Sequence, residues 1–138
     1  MKRKAILIMI ILATVLLFSG CGKITFDMTS SNDWVTVKIN KAKDGDTAET
    51  PNFEVGKNRV TVIESSLASG SVKIEFVSVD VFYNEKGPDD VIPIETVETV
   101  TVGVNEKKEI TLPQNEYIMQ LTTIGETEGT IKVTVEKP

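Results

Sequence analysis

Apolar residues fall on every second position in several separate stretches of this chain, and that period of two constrains the fold more than any other feature. In "WVTVKIN", residues 34–40, Val35, Val37 and Ile39 alternate with Trp34, Thr36 and Lys38. Successive side chains of an extended strand point to opposite faces, so such a stretch has one apolar and one polar face. The same alternation recurs at Val72, Ile74 and Phe76, at Val100, Val102 and Val104, and at Ile110 and Leu112. It appears again at Tyr117, Met119 and Leu121, and at Ile131, Val133 and Val135. No stretch after residue 21 places its apolar residues at helical spacing.

Turn chemistry separates the strands. Residues 41–52, "KAKDGDTAETPN", and 84–90, "NEKGPDD", are loops by their Gly, Pro, Asp and Asn content. Pro93 belongs at a strand start or on an edge, because it has no N–H to give to a ladder. In "GSVKIEFVSVDVFY", residues 70–83, the apolar set jumps from Val72, Ile74 and Phe76 to Val77, Val79 and Val81. A slip of one residue in mid-run marks a bulge or a strand that changes sheets. Seven or eight strands with turns between them point to an all-β, antiparallel sandwich.

Two resemblances refine this reading. The stretch from "ITLPQNEYIMQL" through "GTIKVTVEK" resembles the closing strands of bacterial extracytoplasmic immunoglobulin-like sandwiches, which implies that fold and no particular activity. "SSLASGSVKIEF" and "TIGETEGTIKVTV" also resemble each other, with Gly70 and Gly129 in corresponding places. The simplest account of that internal likeness is two hairpins obeying one set of turn rules.

The first residues have a different character. Lys2, Arg3 and Lys4 precede fourteen residues from Ala5 to Phe18 that carry no charge. As a helix this run spans about 21 Å, whereas a bilayer core of about 30 Å takes roughly twenty residues. The pattern is that of a secretory signal peptide, with a helical apolar segment and a basic start. Phe18-Ser19-Gly20-Cys21 then resembles the lipobox of bacterial lipoproteins, in which small residues precede an invariant cysteine. The resemblance implies cleavage between Gly20 and Cys21 and a diacylglyceryl group on the Cys21 sulfur, with palmitate among its acyl chains. Phe18 stands where that family usually has leucine. Each buried methylene contributes about 0.8 kcal/mol, and two chains anchor stably where one does not. The expected organisation is a signal peptide over 1–20, a lipidated N-terminus and tether over 21–33, and the sandwich domain over 34–138.

Removing the first twenty residues takes away three basic residues and no acidic ones, leaving 118 residues with 12 basic and 20 acidic side chains. A net charge near −8 excludes nucleic acid as a partner, since phosphate recognition needs clustered Lys or Arg. There is no histidine, and Cys21 is the only cysteine. The commonest general base and transition-metal ligand are therefore missing, as is any intrachain disulfide.

Few side chains then suggest a site. Asp44, Asp46, Glu49 and Glu54 are rich in carboxylate, yet an EF-hand spacing fails at Ala48, Glu49 and Val55, so no metal site is assigned. Glu85, Asp89 and Asp90 sit close in sequence without the cleft that carboxylate catalysis requires, and no catalytic residue is assigned. Trp34, Tyr83 and Tyr117 are the candidates for ligand contact, with Phe82 a further large aromatic.

The expected protein is a lipid-anchored lipoprotein on the outer face of the cytoplasmic membrane, or on the outer membrane of a cell that has one. It is a non-catalytic binding or interaction module for an envelope protein or glycan, with no cofactor beyond its lipid. The alternative is a structural or accessory subunit of an envelope complex; a small hydrolase ranks last. Exposed Trp34 beside Tyr83 or Tyr117 would favour glycan or peptide binding. An apolar patch or open edge would favour assembly with another protein.

Overall fold

A computed structural model describes residues 25–84 and 87–136, with the backbone alone at 83, 84 and 87–89. The chain runs through β1 (Phe26–Ser30), β2 (Trp34–Ala42), β3 (Thr47–Glu49), β4 (Phe53–Val55), β5 (Val60–Asn84), β6 (Gly87–Val102), β7 (Lys107–Thr111) and β8 (Asn115–Val135). All pairings are antiparallel. The count and class agree with the alternation in the sequence; residues 1–24, where the signal-peptide helix is expected, lie outside the described residues.

Two strands organise everything else. β5 has 25 residues and β8 has 21, against about 5–6 for an ordinary strand. They pair along most of their length, and each serves both layers of the fold. The first half of β5 lies between β7 and the end of β8, which continues to β2 and β1. Its second half lies between β6 and the start of β8, which carries β3 and β4 on its far side. One eight-stranded sheet thus folds over on itself into two layers.

The fold-over explains the internal likeness between the two glycine-containing stretches. They are not two hairpins: they lie side by side at the corner, where the β5–β8 register shifts between Leu67 and Ser69 and again between Ser69 and Ser71. Gly70 has φ +76° and Gly129 φ +139°. A Cβ on Gly70 would come under 3.0 Å from the Glu126 carbonyl, and one on Gly129 equally close to the Ser66 carbonyl and Leu67 Cα. Each glycine stands where the neighbouring backbone closes in around the bend. Buried Thr127 ties the corner, its Oγ1 lying 3.0 Å from the Gly125 carbonyl and 3.3 Å from that of Ser71.

The core fills the space between the layers. Val35, Val37, Ile39, Ile63, Leu67, Ile131 and Val133 come from one layer, and Phe53, Val72, Ile74, Phe76, Tyr117, Met119 and Leu121 from the other. Phe53 meets Phe76 edge-on at 6.4 Å and 79°, a geometry that adds about 0.5–1.5 kcal/mol to the burial of both rings.

Several boundaries differ from expectation, each for a packing reason. β1, inside the stretch read as a tether, joins the sheet and places Met28 in the core. β3 forms inside the 41–52 loop because β8 offers it an edge at Gln120–Thr122. The 84–90 loop is shorter, since Gly87 already pairs with Asn84 and Pro88 with Tyr83. Pro93 does lie on an edge strand, β6.

Candidate interaction surface

The phase slip at Phe76 and Val77 has a structural counterpart in β6. Phe76 pairs with Glu98 but Val77 with Thr96, which leaves Val97 as an extra residue. The same happens at Ile94, between the partners of Ser78 and Val79, and at Asp89, between those of Phe82 and Tyr83. β5 itself keeps its alternation against β8 through this region. What changes is which of its faces is apolar. Val77, Val79 and Ile118 are buried on the face away from the main core and pack with Val81 and Val91 into a second cluster.

Pairing between β5 and β8 ends at Ser78 and Tyr117. Beyond it, β5 and β6 continue as a two-stranded ribbon, in which cross-strand partners share a face. Phe82 is opposite Asp90, and Asp80 is opposite Ile92. These four side chains therefore form a chequer on the continuation of the core-facing side, with apolar residues on one diagonal and carboxylates on the other. Directly opposed Cβ atoms in such a ladder are about 4.5–5.5 Å apart, and diagonal neighbours about 7–8 Å. All four are exposed, Phe82 at 54% and Ile92 at 44%, and the adjacent Ile94 reaches 55%. Three exposed large apolar side chains on one short ribbon make a patch of the kind that marks contact sites.

The patch is also acidic. Between residues 80 and 98 the sequence holds Asp80, Glu85, Asp89, Asp90, Glu95 and Glu98 against the single base Lys86. The ion pairs among the described residues lie elsewhere, Lys73–Glu75 at 3.5 Å and Lys108–Glu106 at 3.9 Å.

The residues singled out from the sequence are dispersed. Trp34 is 36% exposed, on the polar face of β2 across from Thr134. Tyr117 is fully buried in the main core, and its hydroxyl donates to the Pro113 carbonyl at 2.6 Å. It packs the sandwich and offers no surface to a ligand, so the expected contact role does not hold. Burial also pushes its phenol above the usual tyrosine range. Tyr83 lies in the ribbon backbone with its side chain outside the described ones, and Gly20 and Cys21 fall outside the described residues.

Two carboxylates of the acidic 44–54 stretch accept backbone N–H groups. Asp44 Oδ1 accepts the Gly125 N–H at 2.8 Å, and Asp46 Oδ2 accepts the Lys43 N–H at 2.9 Å. Among the described residues no group of three or more Asp, Glu, His or Cys side chains is placed to hold a metal ion.

Asp80, Ile92 and Ile94 were not singled out from the sequence. Their signal was the conjunction of the apolar phase slip with a proline between two isoleucines at 92–94.

No protein-family model matches this chain, and no curated protein matches it. Solved structures with some likeness include a crystal structure of PirA, at 12% identity and TM-score 0.45, covering 78% of this chain and 97% of that one. A carbohydrate-binding module from Cellvibrio mixtus lichenase 5A, in complex with cellotriose, has 13% identity and TM-score 0.39 over 82% and 88% of the two chains. The structure of accessory secretory proteins 1, 2 and 3 in Streptococcus pneumoniae gives 16% and 0.34 over 80% and 85%. With TM-scores below 0.5, these likenesses carry no argument about activity or ligand.

Proposed function

We propose that this chain is a lipid-anchored, extracytoplasmic, non-catalytic interaction module that holds its β5–β6 ribbon out to another protein of the cell envelope. The observation that carries the reading is the exposure of Phe82, Ile92 and Ile94 on a ribbon that runs past the end of the sandwich. An isolated two-stranded ribbon is only marginally stable in water, and a partner would complete its cover. A protein partner is favoured over a glycan because Trp34 stands apart from Tyr117 and no second described aromatic joins it on the face of β2.

The anchor belongs to the same proposal and rests on the apolar run and the Ser19-Gly20-Cys21 sequence. β1 begins beside the corner, with Phe26 opposite Ile39 and Ile39 opposite Gly129. A tether of five residues from Cys21 reaches at most about 18 Å. From the corner at Ser71 to the ribbon end at Asn84, β5 runs about 43 Å at 3.3 Å per residue. The tether thus starts near the bend of β5 and the ribbon lies at the far end of its second half, an arrangement suited to presenting the ribbon away from the bilayer. The immunoglobulin-like class is kept for the sandwich on its closing residues, 110–138.

Site-specific photo-crosslinking in cells tests the contact. A photoreactive residue at Ile94 is expected to capture a discrete protein adduct that one at exposed Lys57 does not. Equal or absent adducts at the two positions would sink the reading.

A further inference from the structure

We infer that the Phe82–Asp90–Ile92–Asp80 chequer is a receptor for an arginine-bearing apolar segment of the partner protein. The inference rests on the interaction reading above and adds the chemistry of the ligand.

The two carboxylates have no cation among the described residues, and the sequence around them supplies almost none. A cation brought by a partner would supply a complement that no described residue provides. Phe82 lies directly across from Asp90 and two residues along β5 from Asp80. A cation above the Phe82 ring is therefore bracketed by both carboxylates. Arginine satisfies all three neighbours at once: its planar guanidinium stacks on an aromatic face and still donates in pairs to carboxylate oxygens. A lysine ammonium matches the charge without the stacking plane. Ile92, on the other end of the apolar diagonal, takes an aliphatic neighbour of that arginine.

The same observations weigh against the other occupants. A second copy would add the same carboxylates and no cation, and an anionic lipid surface or a nucleic acid would repel the patch. Strand addition along β6 is obstructed, because Pro88 and Pro93 lack an N–H and the extra residues Asp89, Ile94 and Val97 interrupt the ladder. Contact is made by the side chains of the ribbon face.

The test uses the full-length processed chain and a fluorescent five-residue peptide alternating valine with arginine. The control is the same peptide with citrulline, which keeps the shape and loses the charge. Saturable binding of the arginine peptide is expected, about tenfold or more tighter than the citrulline peptide, and weakening from about 0.05 to 0.5 M salt. Asp80→Asn with Asp90→Asn should lower binding about tenfold. Phe82→Leu should erase the preference for arginine over a lysine version. These side chains are exposed, so the melting temperature of each variant reports whether the fold is intact. No saturable binding, equal binding of the arginine and citrulline peptides, or unchanged binding by the double variant would overturn the inference. If the Ile94 adduct also survives Asp80→Asn with Asp90→Asn, the arginine chemistry fails while the contact reading stands. Loss of the native Ile94 adduct removes both.

Discussion

The hydroxyl of Tyr117 reaches back four residues to the carbonyl of Pro113 at 2.6 Å, while its ring packs against Phe53 with centroids 6.2 Å apart. The bond fixes the turn that feeds β8, the strand on which most of the sheet is assembled. Tyr117→Phe keeps the ring and removes the bond, so we expect a loss of about 1 kcal/mol at neutral pH in urea unfolding.

The same phenol makes a pH prediction. Burial raises its pKa above the usual value near 10. Below that value both folded and unfolded chains keep the proton, and the contribution of Tyr117 is complete. As pH rises above it the unfolded chain ionises first, and stability falls until the folded phenol also titrates. The margin of the native protein over Tyr117→Phe should therefore shrink between pH 9 and 11, measured by urea unfolding, where about 10 is the ordinary midpoint. A constant margin would contradict the buried placement.

Gly129→Ala and Gly45→Ala separate conformational strain from steric closure. Both glycines have positive φ, but nothing lies within 4 Å of a Cβ at Gly45, whereas Gly129 faces the Ser66 and Leu67 backbone. Gly45→Ala should cost about 1 kcal/mol. Gly129→Ala should cost on the order of 2–4 kcal/mol, since the corner itself must move. Chemical denaturation of the two variants decides this.

Thr61 is fully buried, and its Oγ1 has no hydrogen-bond partner among the described residues. Thr61→Val removes that unsatisfied group with little change of shape, so stability should rise by about 1 kcal/mol. Thr123 is the contrasting case: its Oγ1 donates to the Lys43 carbonyl and accepts the Asp46 N–H at 3.0 Å. Thr123→Val should lose about 1–3 kcal/mol. Melting curves of the pair should move in opposite directions.

Cys21→Ala tests the anchor. Removing the sulfur removes both acyl chains, and the expected result is no labelling by radioactive palmitate and no mature-length product in the membrane fraction. The domain should keep its unfolding midpoint, because its core is built from residues between Met28 and Val135. A membrane-bound, normally processed Cys21→Ala would refute lipid anchoring.

The buried faces were legible in the sequence because alternation marks them directly. Val35, Val37, Ile39, Val72, Ile74, Phe76, Met119, Leu121, Ile131 and Val133 are all buried as their spacing required. Val104 broke the pattern, lying exposed in the turn before β7. Strand length was not legible: the polar, glycine-containing stretches at 65–71 and 123–129 have the composition of turns, yet they are the bends of two continuous strands. Periodicity says which face a residue takes and nothing about which strand lies beside it. For that reason Tyr117, apolar-spaced and aromatic, fitted core and ligand platform equally well. The ribbon was half visible: the apolar slip was plain, but the exposure of Phe82 and Ile92 depends on where β8 begins.

The central strand of this fold is also the last of the eight in chain order. β2, β3, β4 and β5 all rest on residues 115–135, and Trp34 pairs with Thr134 across almost the whole length of the domain in sequence. Contacts so distant along the chain form late and slowly. Until residues 115–135 are in place, β3 and β4 have no strand to pair with and nothing joins β2 to β5. Closure of the two-layer core therefore waits on the last strand to be made.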